Sequence, residues 1–226
     1  DAKGVITGVE FLRKVELGTA DKLRGNTIVI GGGNVAVDVA RTAVRYGADT
    51  VKMYCLESEA EMPALPEEIE EAGNEGIKIN NGWGPKRILV ENGKVVGVEF
   101  KKCVSVFDED NRFNPKYDEN ETLTVEASAV LVSVGQSIQW GDLLTDAKVE
   151  LNPNNTAKAD GFTYQTSEPD VFTGGDAFTG PKFAIDAIAA GKQGAISLHR
   201  FVWEGHDLRL GRDRREYHAI DKDNLL

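Results

Sequence analysis

A chain of 226 residues is long enough for one large domain or two small ones, with a core of ordinary size. Its composition, 41% hydrophobic and 28% charged with no apolar run long enough to span a bilayer, is that of a soluble globular protein. A formal charge of −11, spread along the chain as a solvated surface, argues against nucleic acid, whose phosphates need a basic face.

No segment reads as a signal or transit peptide, so the expected location is cytoplasmic. The sequence opens at Asp1 without Met, and we expect it to be a fragment of a longer chain. Cys55 and Cys103 are too far apart for a C-x-x-C pair and sit in apolar strand-like runs, which predicts buried, inert thiols.

In chain order, residues 1–25 read as a connecting segment. Phe11, Leu12 and Val15 share one helical face, and Gly18 or Gly25 would end that element. A strand over 27–31 then runs into Gly31-Gly32-Gly33-Asn34-Val35-Ala36 and a helix over 33–47, closed by Gly47 at C′. Gly31, Gly33 and Ala36 fill the G-x-G-x-x-G/A spacing of a dinucleotide turn. The first glycine permits the turn, the second lets a pyrophosphate approach the backbone, and the small third residue lets helix and strand pack closely. The helix start then offers unpaired N–H groups and partial positive charge. The rival reading is a tight strand–helix turn that needs glycine only for its angles.

A strand over Thr50–Leu56 follows, then a helix begun by Pro66, with Glu67, Glu68 and Glu70 near its N-terminus and Gly73 and Gly76 ending it. Ile77–Ile79 is a third short strand. This alternation predicts a parallel sheet covered by helices. Arg87–Glu91, Lys94–Val106 and Glu121–Glu126 then alternate apolar with polar, and Glu91-Asn92-Gly93-Lys94 is a hairpin turn, so a three-stranded antiparallel meander is expected. The charged stretch Asp108–Glu119 reads as a mobile excursion. Ala129–Gly135 returns as a buried parallel strand, with a domain crossover at Gly135-Gln136.

In the last third, Thr166–Pro169 is a turn, Val171–Asp176 a short strand ending in Gly-Gly-Asp, and Phe183–Val202 a helix with Ala184, Ala187, Ala190 and Gly191 on a close-packing side. The polar tail from Gly205 reads as a surface extension. His199, His206 and His218 show no metal-ligand spacing, and no Ser/His/Asp or Cys/His set suggests covalent catalysis. Asp38 and Arg41, at i and i+3 of one helix, read as a surface ion pair.

These stretches together resemble the glutamate synthase small-subunit family of flavin-dependent pyridine nucleotide oxidoreductases. They are also similar to the related domains of dihydropyrimidine dehydrogenase and of electron-bifurcating ferredoxin–NADP reductases. The matching residues are Gly4–Leu12, Val29–Ala43, Glu61-Met62-Pro63, Val130–Gln136 and Phe172–Gly194. The resemblance implies an α/β fold: a Rossmann-like three-layer NAD(P)-binding domain with an antiparallel meander, plus part of an FAD domain of the pyridine nucleotide-disulfide reductase type. It places residues 1–25 as an FAD-domain connection, 26–135 as the NAD(P)H domain, 136–204 as the C-terminal part of the FAD domain, and 205–226 as a tail. It implies that hydride passes from NAD(P)H to FAD and on to iron–sulfur centres or a partner subunit. The missing N-terminal FAD and iron–sulfur portion would be a further partner, with no membrane insertion.

By position, Gly31, Gly32, Gly33, Asn34 and Val35 would hold the nicotinamide cofactor's pyrophosphate. Gly135 and Gln136 would sit at the crossover, Gln136 near both cofactors. Gly175 and Asp176 would bind flavin, and the helix start at Phe183 and Ala184 would point its dipole at the flavin pyrimidine edge. Asp176 as a mere cap is the alternative. The sequence departs from the family after the second strand, where an Arg pair grips the 2′-phosphate of NADPH. Here stand Leu56 and Glu57, with Glu57 26 residues after Gly31, somewhat past the distance of about 20 usual for a ribose-reading acid. NADH is therefore expected over NADPH, with Arg45 or Lys52 the residues able to reverse it; the alternative makes Glu57 a solvated loop acid. The family's first flavin turn is not in this sequence, so weak or absent FAD binding is expected, and no activity from this fragment alone. A non-catalytic NAD(H)-binding sensor or interaction module is the other functional reading.

Overall fold

β-Branched and apolar runs alternate with helices through the first 135 residues, and in the computed structural model they build a five-stranded parallel sheet. Residues 2–110, 112–203 and 205–212 are described. The elements, in chain order, are β1 (Val5–Thr7), α1 (Gly8–Glu16), β2 (Asn26–Ile30), α2 (Asn34–Arg45), β3 (Thr50–Cys55), α3 (Pro66–Asn74) and β4 (Lys78–Asn81). Then come β5 (Trp83–Glu91), β6 (Lys94–Phe107), β7 (Phe113–Glu126), β8 (Ala129–Val132), α4 (Asp176–Thr179) and α5 (Ala184–Phe201). The chain divides into two compact units, Asp1–Gly135 and Gln136–Leu226.

In the first unit the parallel order is β1-β8-β2-β3-β4. The leading segment is thus more than a connector: Val5, Ile6 and Thr7 pair with Val130, Leu131 and Val132 as an edge strand. The short Val5-Ile6 pair carries too little periodicity to be read as a strand without its neighbour. Helix α2 buries Ala36, Val37, Val39, Ala40 and Ala43, a stripe at helical spacing, against Val29, Met53 and Leu131 of the sheet. The other sheet face (Ile28, Ile30, Tyr54, Val130) packs on Val98 and Phe100 of the meander β5-β6-β7, with Tyr54 and Phe100 stacked at 4.2 Å. Three layers result: helices, parallel sheet, antiparallel sheet.

The turn between β5 and β6 has Asn92 and Gly93 at φ 49° and 75°, the pair of left-handed residues that a two-residue hairpin requires. The segment expected to be a mobile excursion is mostly strand: β7 begins at Phe113, so only the connection 108–112 lies outside β6 and β7. Asp108 organises this turn by accepting from the Asp110 and Arg112 amides. Its pairing with β6 was hidden because residues 113–118 bury nothing fully and their half-buried positions, Pro115, Tyr117 and Asp118, follow no alternation of apolar with polar. Arg41 does not pair with Asp38; it reaches Glu68 and Glu71 on α3, and Glu75 just after it.

The second unit holds little regular structure before α4. Isolated bridges join Leu151 to Ala157, Ala159 to Thr166 and Gln165 to Phe172, so the expected strand over 171–176 is reduced to one bridge. Of the four small residues expected on the close-packing side of α5 (Ala184, Ala187, Ala190 and Gly191), Ala190 alone is buried. Arg209 and Arg212 tie the segment 205–212 to the same unit through Asp160, Gln193 and Ser197. His218 and the remaining tail charges lie outside the described residues. Among the described residues, no helix is long and apolar enough to cross a membrane, and no three His, Cys, Asp or Glu group to hold a metal.

Candidate functional site

The parallel strand β2 ends at Ile30 and the chain must reverse within three residues to start α2 on the sheet's helical face. Gly31 makes that reversal at φ 141°, its amide bonded to the Tyr54 carbonyl at 2.9 Å. A Cβ at Gly31 would stand 2.3 Å from the Ser133 carbonyl oxygen and 3.2 Å from the Ala36 Cβ, so no other residue fits. Gly32 is closed on its own side: a Cβ there would lie 2.9 Å from both the Cys55 Cβ and a Glu57 carboxylate oxygen. Gly33 faces open space: a Cβ there would meet only Pro63 Cγ, at 4.0 Å.

Among the described residues no group accepts from the amides of Gly32, Gly33, Asn34 or Val35, while the Gly33 carbonyl accepts from Ala36 and Val37 to begin the helix. Gly33 is the N-cap of α2 and brings no side chain to satisfy those amides. Helices α1, α3 and α5 each carry a carboxylate in the first turn (Glu10; Glu67 and Glu68; Asp186), whereas α2 carries none. The positive end of its dipole is left for an external anion.

Five of the expected residues, Gly31 to Val35, together with Glu57, therefore converge at one end of the parallel sheet. Glu57 sits half-buried just past β3, its backbone carbonyl accepting from Gly82 at 3.1 Å and its carboxylate alongside Gly32. The two cations that the sequence singled out as able to oppose it are elsewhere. Arg45 ends α2, roughly 17 Å along the helix from the glycine turn, and is held by Glu75 at 2.5 Å. Lys52 pairs in register with Ile28 and shares the sheet face turned away from α2. Cys55 lies beneath Gly32, where burial and then the Glu57 charge push its thiol up to about 12, despite a bond from Asn81. Burial also raises the Cys103 thiol. Both cysteines are free and buried, as the sequence suggests.

Two features of the site escaped sequence reasoning. The segment 58–65 folds back over the turn: the Ala64 amide donates to the Gly32 carbonyl at 3.2 Å, and the Leu65 amide to Asn34 Oδ1 at 2.8 Å. Pro63 and Pro66 were its only signal. Ser133, just past β8, packs its backbone oxygen against Gly31 and buries a hydroxyl that has no partner among the described residues.

The remaining expected residues are placed separately. Gly135, exposed at φ 62°, closes the first unit, and Gln136 is the exposed first residue of the second. Within the second unit Gly175 adopts φ 63° and ψ −151°, a region open only to glycine, and a Cβ there would meet Ala187 at 3.1 Å. Asp176 opens α4, and its carboxylate accepts from the Lys182 amide at 3.3 Å, one residue before Phe183. Phe183 is the exposed N-cap of α5, its amide donating to Asp186, and Ala184 is the exposed first residue of that helix.

Residues 1–191 match the family described as pyridine nucleotide-disulphide oxidoreductase. Over 207 residues the chain is 33% identical to the NADP(+)-dependent formate dehydrogenase subunit beta of Moorella thermoacetica, covering 89% of this chain and 29% of that protein. It is 32% identical over 196 residues to the NAD-dependent dihydropyrimidine dehydrogenase subunit PreT of Escherichia coli, covering 86% of this chain and 41% of PreT. The fold superposes on Lactococcus lactis thioredoxin reductase with a TM-score of 0.65 at 20% identity, over 88% of this chain and 57% of that one. The chain thus spans less than half the length of these curated relatives.

Proposed function

The chain belongs to the pyridine nucleotide-disulphide oxidoreductase family, whose members bind FAD and NAD(P)H, and on that premise we propose that it takes hydride from NADH in a larger flavoenzyme. The observation that carries this reading is the glycine turn. Its amides are unsatisfied, it opens a helix with no acid in its first turn, and Gly31 tolerates no side chain. A pyrophosphate supplies the missing acceptors and meets the helix dipole. Bound in the complete enzyme, flavin would supply the chemistry that accepts a hydride from NADH and releases electrons singly toward iron–sulfur centres or a partner subunit. This chain contributes position and field: Gly32, Gly33, Asn34 and Val35 hold the diphosphate, and Glu57 accepts from the ribose hydroxyls.

Glu57 also sets the coenzyme. Relatives of almost equal identity carry NADP and NAD in their names, so overall likeness cannot choose between the two. A carboxylate beside Gly32, with Arg45 and Lys52 turned elsewhere, favours NADH.

The second unit, in this reading, is the C-terminal part of the flavin domain, as far as 204. Asp176 accepts from the ribityl chain through the carboxylate oxygen that does not face Lys182. The start of α5 at Phe183 and Ala184 supports negative charge on the reduced ring. Gln136 stands at the crossover between the two. Both relatives named above are subunits, which supports a partner that accepts the electrons, as in glutamate synthase small-subunit-like proteins. Activity belongs to the complete cytoplasmic enzyme, with FAD weakly held or absent in this chain. Titration with NADH and NADPH, followed by calorimetry, tests the reading: NADH binds with the higher affinity, and no heat from either nucleotide refutes it.

A further inference from the structure

We propose that Asn34 is a positioning residue: its side-chain oxygen latches the segment 58–65 onto the glycine turn and so aims the Gly33 amide at the ligand. The inference rests on the pyrophosphate reading above. Its evidence is separate, because it concerns how the turn is held before any nucleotide arrives.

Two consecutive amides of the segment bond to two groups of the turn, Ala64 to the Gly32 carbonyl and Leu65 to Asn34 Oδ1. A backbone N–H can only donate, so the Asn34 atom facing Leu65 is the oxygen, and the NH2 group points away. The peptide joining Gly32 and Gly33 is trans, so its carbonyl and its N–H point in opposite directions. Holding the Gly32 oxygen toward Ala64 therefore directs the Gly33 N–H away from the segment, out of the turn. Nothing else fixes that peptide as firmly, since the space beside Gly33 is open to within 4.0 Å of Pro63 Cγ.

The segment is braced internally at its start and anchored beyond its end. Ser58 donates its hydroxyl to Glu61 at 2.6 Å around a single helical turn, Glu59–Glu61. Beyond Leu65, Pro66 begins α3, whose Glu68 and Glu71 are gripped by Arg41 of α2. Asn34 is the side chain that joins this strap to the turn midway between those anchors. A pre-aimed amide costs less to order when an anion binds, which is where affinity is gained.

The test is amide hydrogen exchange at Ala64 and Leu65 in nucleotide-free protein, beside NADH affinity, for Asn34→Ala and Asn34→Asp. Asn34 Oδ1 is the one acceptor of the Leu65 amide among the described residues, so the protection of that amide rests on this bond. Asn34→Ala should speed exchange at both amides roughly tenfold and weaken NADH about three- to tenfold. Asn34→Asp keeps an acceptor for Leu65 and should exchange as the wild type does. Should Asn34→Ala fold poorly, Asn34→Ser, whose hydroxyl is too short to reach Leu65, gives the same comparison. Unchanged exchange in the Ala or Ser variant overturns the latch, even if NADH binding falls, because Asn34 would then be a direct ligand contact. Faster exchange with unchanged affinity overturns the positioning role. Wild-type protein that binds no NADH refutes the pyrophosphate reading, while the exchange data still report on the latch.

Discussion

Replacing Glu57 by Gln keeps the shape of the side chain beside Gly32 and removes its charge. In the wild type, a carboxylate oxygen lies 2.9 Å from where a Gly32 Cβ would be, at the lip of the turn proposed to receive the nucleotide. A 2′-phosphate on the adenine ribose would bring between one and two negative charges to about 4–5 Å from it. Each such pair costs about 1 kcal/mol in a water-like medium and about 4 kcal/mol at an effective dielectric of 20. Glu57 is half-buried, so the lower part of that range applies, about 2 kcal/mol in total, or roughly thirtyfold in affinity. Against this, a charge-assisted hydrogen bond to the ribose becomes a neutral one, a loss of about 1 kcal/mol. Glu57→Gln should therefore tighten NADPH by a net of about 1 kcal/mol, roughly fivefold, and weaken NADH about fivefold, and Glu57→Arg should carry the preference fully to NADPH. Competitive titration of both nucleotides against each variant, with thermal unfolding as the control for folding, measures the ratio. An unchanged NADH:NADPH ratio in Glu57→Gln would refute the argument, as would a wild type that prefers NADPH.

Gly31→Ala should abolish nucleotide binding and lower the melting temperature, since the added carbon would sit 2.3 Å from a backbone oxygen at a φ of 141°; calorimetry and thermal unfolding report the two effects. Met53→Ala, at a side chain with no solvent exposure between α2 and the sheet, should cost about 2–5 kcal/mol in urea unfolding. Cys55 should resist iodoacetamide at pH 8 in folded protein, because burial and Glu57 keep its thiol protonated. Its raised pKa stabilises the fold below the ordinary thiol range, and that contribution is lost as pH rises from about 9 toward 12. Glu75 shows the opposite sign. Burial raises its pKa, but bonds from Arg41 and Arg45 outweigh that and hold it low. Its contribution is present above the ordinary carboxylate range and is lost as pH falls through the depressed value, so Arg41→Met should flatten the acid limb of the stability curve.

How far the sequence disclosed the fold depended on whether the folding signal was local. β2, α2, β3, α3 and β8 could each be read from a β-branched run, a buried stripe or a glycine stop; most bounds moved by a residue or two, while β8 stops at Val132, three residues before the expected Gly135. β1 and the first half of β7 could not. The three residues of β1 are a strand because β8 offers them a parallel edge, and the first half of β7 is a strand because it hydrogen-bonds to β6, with no fully buried residue to mark a face. Pairing between distant segments leaves no period in either one. In the second unit, bridges as short as Gln165 to Phe172 cannot be told from turns before the fold is known.

The site divides along the same line. Glycine spacing is a backbone requirement, so it is written in the sequence; Gly31 has to be glycine because a carbonyl from just past β8, about a hundred residues later, fills the place of its side chain. The position of Glu57 was likewise legible, since a strand of known length fixes where its end must fall beside the turn. What secures the turn was not, because it consists of backbone amides at Ala64 and Leu65, which every residue but proline carries. Asn34 could be recognised as part of a motif, yet its bonding could not. Oδ1 faces a backbone donor thirty-one residues away, while the groups beside it proposed to face the ligand are the bare amides. A side chain within a binding motif can therefore serve the loop that shapes the motif, and only its hydrogen-bond partner distinguishes that duty from contact with the ligand.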